Sequence, residues 1–298
     1  MPDKQRKTAA DFHPRLLELF DGYVHGKMTK RDFLSKATKY AAAGVTAAAI
    51  LESLQPNYAL AQQVAPDDPD IETETFQYDS PRGNGTVSGL MAKPAGATGP
   101  IGAVLVIHEN RGLNPYIEDV VRRVAKAGYL ALGPDGLSSL GGYPGNDDAG
   151  REMQRQIDGA KLMEDFFAGF EQLQTHPVGN GKVGAVGFCY GGGVCNALAV
   201  AYADMACSVP FYGRQAAAED VPMIQAPLLL HYGGLDERIN AGWPAYEAAL
   251  QEHGKDHTVH FYDGANHGFH NDTTPRYDEA AATLAWDRTL DFFAAHLT

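Results

Sequence analysis

Residues 182–197, KVGAVGFCYGGGVCNA, constrain the fold of this 298-residue chain more than any other stretch. The upstream half, residues 182–188, is apolar and contains valine, as a strand buried on both faces requires. Residues 194–201 are small and suit a helix. Cys189 therefore lies in a Gly-x-Cys-x-Gly corner between strand and helix. The flanking glycines let the two elements close on each other, and the corner drives the side chain between them outward in a strained backbone conformation. Such a corner is a nucleophile elbow with sulfur in the place of oxygen. Glycine-rich strand-to-helix turns also bind phosphate. The choice between the two depends on what else the chain supplies.

Two later segments supply what a nucleophile needs. Residues 226–239, APLLLHYGGLDERI, and residues 257–270, HTVHFYDGANHGFH, each read as a strand running into a loop, with Asp236 and His267 in those loops. The chain order nucleophile, acid, histidine is that of α/β-hydrolases. A free thiol has a pKa near 8.5, so Cys189 needs a base or a field, and His267 is its natural partner. Asp236 then holds the ring and stabilises the imidazolium. Asp263 is a rival acid but precedes the loop; His231, His257, His260 and His270 read as packing or surface groups. Acyl transfer also needs oxyanion donors. The elbow offers the Tyr190 N–H, and the loop after the first parallel strand, residues 106–112 (VIHENRG), offers the Asn110 N–H. A carboxylate at Glu109 repels the charge that such a hole attracts, so it is either solvated or functional.

The formal charge of −13 and the absence of a Lys/Arg-rich stretch exclude a nucleic-acid surface. Three cysteines, Cys189, Cys195 and Cys207, make no disulfide framework, and no Cys/His spacing suggests a metal site; no cofactor is expected. Residues 1–65 differ from the rest. An amphipathic stretch presents Phe12, Leu16, Leu17, Leu19 and Phe20, and a Lys30-Arg31 pair precedes the Ala-rich residues 40–54 and a small-x-small end at 59–61. This segment reads either as a twin-arginine-like export signal or as a helical hairpin packed on the domain, which leaves the compartment cytoplasmic or periplasmic. The apolar stretch is too short to span a membrane. Residues 66–74 read as a linker and residues 75–298 as the catalytic domain.

Within that domain the expected hairpin covers residues 76–80 and 86–92, followed by strands at 101–108, 129–132, 183–188, 205–212, 228–232 and 258–262. Helices are expected at 117–127, 151–173, 244–253 and 278–295. This alternation gives an α/β fold with a mostly parallel sheet covered on both faces and a site at the carboxyl ends of the strands.

Gly187-Phe188-Cys189-Tyr190-Gly191, His108-Glu109, Pro134-Asp135-Gly136-Leu137, Asp236 and Asn266-His267-Gly268-Phe269 together resemble the dienelactone hydrolase family over residues 75–298. The resemblance implies hydrolysis of a small-molecule ester or lactone through an acyl-thiol intermediate, with Glu109 taking the thiol proton when substrate enters. The family's substrate-carboxylate arginine beyond the catalytic histidine is replaced by His270-Asn271-Asp272, from which neutral esters are the expected substrates. Arg111, Arg151, Tyr212 and Arg214 are the remaining candidates for substrate contact. Competing readings are a thioesterase or peptidase on the same fold, or a redox sensor using Cys195 as resolving thiol. Oligomeric state is left open.

Overall fold

The computed structural model describes residues 7–41, 45–60 and 62–298. Eight strands form one sheet in the order β1-β2-β4-β3-β5-β6-β7-β8. β1 (Ile71–Ser80) and β2 (Gly85–Pro94) make an antiparallel hairpin, and β2 also runs antiparallel to β4 (Leu130–Pro134). All other neighbours are parallel: β3 (Ile101–Ile107), β5 (Gly179–Phe188), β6 (Cys207–Phe211), β7 (Leu228–Gly233) and β8 (His257–Tyr262).

The period of two along β3 divides the core. Ala103, Leu105 and Ile107 face one layer, and Val104 and Val106 face the other. The first layer is built with α6 (Gly159–Gln174), α7 (Tyr190–Ala201) and α9 (Trp243–Glu252), through Phe166, Phe170, Leu198 and Leu250. The second is built with α4 (Pro115–Lys126) and α10 (Glu279–Leu297), through Ile117, Val120, Val124 and Phe293. The helix expected over residues 151–173 is two helices, α5 (Asp147–Gln156) and α6. Ile157 is extended, and the Asp158 carboxylate accepts from the backbone N–H of Ala160 and Lys161, which starts a new helix instead of continuing the old one.

Three helices, α1 (Pro14–Val24), α2 (Lys30–Ala37) and α3 (Ala47–Leu54), build a separate small core, with Leu16, Leu17, Phe20, Phe33, Ile50 and Leu54 buried. Leu19, and Phe12 just ahead of the helix, are half-buried and pack against this core. Lys30-Arg31 opens α2, whose Thr29 and Asp32 form a capping box. Residues 42–44 of the Ala-rich stretch and residue 61 of its small-x-small end lie outside the described residues.

The connection to the sheet is anchored along its length. The Tyr58 hydroxyl donates to Asp147 at 2.6 Å, the Val64 N–H to Asp119 at 2.9 Å, and Arg122 Nε to the Val64 carbonyl at 2.8 Å. Val64 itself is part of the α4/α10 layer. β1 starts at Ile71, inside the residues 66–74 expected as linker, because Ile71 pairs with Pro94 at the hairpin's open end. No described helix is long and apolar enough to cross a membrane.

Candidate active site

β5 ends at Phe188 and α7 starts at Tyr190, which leaves Cys189 alone to make the turn at φ 56°, ψ −108°. This conformation is sparsely populated for a residue with a side chain and costs on the order of 1–3 kcal/mol. The glycines are required by contact. A Cβ at position 187 would lie 2.2 Å from the Gly191 carbonyl oxygen, and one at position 191 would lie 2.3 Å from that of Ile107. The close approach at Gly191 brings the end of β3, and with it the loop of His108, Glu109 and Asn110, against the elbow. Asp135 fixes this loop by accepting from the backbone N–H of Leu113 and Leu137, and His108 Nε2 accepts from Gly136 N–H.

Asp236 and His267 arrive from the loops after β7 and β8. Asp236 caps α8 (Glu237–Asn240), and its Oδ2 accepts from His267 Nδ1 at 2.5 Å. The opposite ring nitrogen, His267 Nε2, is buried without a hydrogen bond. Cys189 Sγ lies within 4.8 Å of the His267 ring donor. Burial alone would push the Cys189 thiol up; the imidazoles of His267 and His25 outweigh it and bring it to about 5. Burial likewise disfavours the His267 imidazolium, but the Cys189 thiolate and the Asp236 carboxylate raise it to about 10. Thiolate and imidazolium thus stabilise each other. Asp263 is exposed, and His231 and His270 are buried among aromatic rings, with Tyr262 on His231 and Tyr116 on His270 at 2.9 Å and 2.7 Å.

Glu109 is buried, and its Oε2 is 3.1 Å from both Arg111 Nη2 and Asn271 Nδ2. No hydrogen bond joins it to Cys189. The Tyr190 N–H lies at the first position of α7, where the helix dipole favours an anion. The Asn110 side chain donates to the Val24 carbonyl at 2.8 Å. Tyr212, at φ 38°, stands with its ring centroid 5.0 Å from that of His267. Arg111 is committed to Glu109 and Asp147. Arg151 pairs with Asp148 and lies 5.4 Å from the Tyr23 ring centroid, and Arg214 is exposed. Cys195 and Cys207 are buried, and burial raises the Cys195 thiol well above its ordinary range, so neither is a resolving partner.

The N-terminal segment enters the site, which the motifs did not indicate. His25 Nε2 is 3.3 Å from Cys189 Sγ, and the His25 and His267 rings meet edge to face at 4.8 Å. Asp21 lies between Arg238 Nε at 3.3 Å and Arg276 Nη1 at 3.5 Å. Burial would raise the Asp21 carboxyl, but His25, His267 and Arg276 hold it far below the usual carboxylate range. Asp272, from which neutral substrates were expected, is already partnered: it pairs with Arg123 at 2.6 Å and accepts from Gln63. Among the charged groups around these residues, Arg238 Nη2 lies 3.3 Å from His267 Nδ1, and Asp21 joins Arg238 to Arg276. A lone histidine 164 residues before the nucleophile carries no motif, and Arg276 stands nine positions beyond His267 without a spacing to mark it.

Residues 87–297 match the family model described as the dienelactone hydrolase family, and residues 3–42 match one described as YqhI-like. A carboxymethylenebutenolidase of Pseudomonas putida is 31% identical over 221 residues, covering 70% of this chain and 91% of that protein. A candidate hydrolase fragment of Escherichia coli K12, YghX, is 64% identical over 114 residues, which is 38% of this chain and 97% of the fragment. Among solved structures, a candidate dienelactone hydrolase of Klebsiella pneumoniae superposes with a TM-score of 0.67 at 24% identity, covering 76% of this chain and all of that one.

Proposed function

The chain belongs to the dienelactone hydrolase family and is a hydrolase, and on that premise we propose that it cleaves carboxylic esters or lactones through an acyl-thioester on Cys189. The observation that carries this reading is the convergence of Cys189, His267 and Asp236 from three strand ends, with His267 bonded to Asp236 through Nδ1 and its Nε2 left for the thiol. The thiolate attacks the acyl carbon, and the tetrahedral oxyanion is held by the N–H groups of Tyr190 and Asn110. His267 delivers its proton to the leaving alkoxide, the C–O bond breaks, and a thioester remains. His267 then takes a proton from water, whose oxygen attacks the thioester, and returns that proton to the departing thiol.

The resemblance assigns the thiol proton to Glu109, whereas the electrostatics at rest favour His267, whose imidazole is the strongest influence holding the thiol down. Glu109 then acts through Arg111 and Asn271, aligning the loop that carries Asn110. Substrate reaches the oxyanion pocket only as residues 21–25 give way, since His25 stands on the sulfur and Val24 on the Asn110 side chain. Cys189→Ala tests the assignment: hydrolysis of activated aryl esters is expected to vanish while the circular dichroism spectrum stays unchanged. Wild-type turnover in that variant would refute it.

A further inference from the structure

We propose that Cys189, His25 and His267 form a binding site for a zinc-type divalent cation that, when filled, blocks the nucleophile and fastens the N-terminal segment to the hydrolase domain. Among the described residues these three bring their ligand atoms within 4.8 Å of one another, with His25 Nε2 3.3 Å from the sulfur. Zinc bond lengths of about 2.3 Å to sulfur and 2.0–2.1 Å to nitrogen put tetrahedral ligands about 3.4–3.6 Å apart, so one contact already has the required span. The His267 ring needs to close by little more than 1 Å on that scale.

Both imidazoles are prepared in the manner of metal ligands. His267 donates from Nδ1 to the Asp236 carboxylate, and His25 Nδ1 is 2.8 Å from the Asp21 carbonyl and 3.1 Å from its carboxylate. A carboxylate or carbonyl on one ring nitrogen fixes the tautomer and aims the other at the metal. His267 Nε2 is the independent sign of a missing partner, since it is a buried polar atom with none. Charge permits the ion. With the thiol deprotonated on binding, Cys189, Asp21 and Asp236 oppose Arg238 and Arg276, so the cation enters a cluster of net charge −1. Arg238 Nη2, 3.3 Å from His25 Nε2, opposes binding and tunes it. One thiolate and two imidazoles match the borderline-soft preference of zinc, with water left for the fourth position. The ligands lie too far apart in sequence, 164 residues from His25 to Cys189, for any spacing motif to register.

The test uses the full chain and does not read hydrolysis, so it stands whether or not Cys189 proves to be the nucleophile. Co²⁺ titration of the wild type is expected to give one equivalent bound with a thiolate-to-cobalt charge-transfer band, and Cys189→Ala to abolish the band. Zn²⁺ affinity, measured by competition with a chromophoric chelator, is expected to fall at least 100-fold in His25→Gln and to rise in Arg238→Gln. Should His25→Gln loosen the segment, Asp21→Asn keeps the imidazole and is expected to weaken Zn²⁺ by about 10–100-fold, the usual effect of losing an outer partner. A wild type without the charge-transfer band, or a folded His25→Gln with unchanged Zn²⁺ affinity, overturns the proposal.

Discussion

Replacing His267 with Gln removes the strongest influence that lowers the Cys189 thiol, and its effect on thiol chemistry can be worked out in advance. With His267 gone, burial, the largest single influence on this thiol, is opposed by His25 alone and the thiol rises from about 5; taking the ordinary value of about 8.5 for the variant sets the scale of the change. At pH 5.5 the wild-type thiol is then roughly three-quarters ionised and the variant about 0.1% ionised. The variant's thiolate is the better nucleophile, because reactivity toward disulfides rises with thiol pKa along a Brønsted slope of about 0.4–0.5, which amounts to about 40-fold here. The two effects combine to make the variant about 20-fold slower at pH 5.5 and roughly 30-fold faster at pH 9, with the profiles crossing near pH 7. The assay is the second-order rate of reaction with a small neutral aromatic disulfide across this range, read from the released chromophoric thiol. Parallel profiles, or a variant slower by one factor at every pH, would refute the thiolate–imidazolium pair.

Glu109→Gln leaves Arg111 with Asp147 as its only carboxylate and replaces the charged acceptor of the Asn271 amide with a neutral one. It is expected to lower stability by about 1–3 kcal/mol in chemical denaturation and, by loosening the loop of an oxyanion donor used in both half-reactions, to slow single-turnover acylation and deacylation alike; slowing of acylation alone would return the thiol proton to Glu109. Phe33→Ala, at a fully buried position in the N-terminal core, is expected to cost that core about 3–5 kcal/mol. Hydrogen exchange should then accelerate over residues 14–54 and not in β3 or β5, and a uniform loss of protection would show that the two cores unfold as one.

The elements of the candidate site were legible because their physics is local. A Gly-x-Cys-x-Gly corner can be made only where two glycines allow carbonyls within bonding distance of where a Cβ would stand, and strand periodicity placed Asp236 and His267 at the same end of the sheet. Less local features were lost. The break between α5 and α6 turns on one Asp158 side chain choosing backbone N–H groups over helix continuation. Asp272 was read as a charge in the pocket because Arg123, 149 residues earlier, is paired with it only through the fold. His25, Asp21 and Arg276 were invisible for the same reason: each acquires its role from a tertiary contact that no spacing encodes.

The central claim, an acyl group carried on the sulfur of Cys189, is tested most directly by intact and peptide mass spectrometry after rapid acid quench with a short-chain aryl ester. A thioester adduct of the acyl mass should appear on the peptide containing residues 183–197, accumulate faster than it decays, disappear with hydroxylamine, and be absent from Cys189→Ala. Turnover in the wild type with no adduct at any quench time, or with the adduct on another residue, would contradict it.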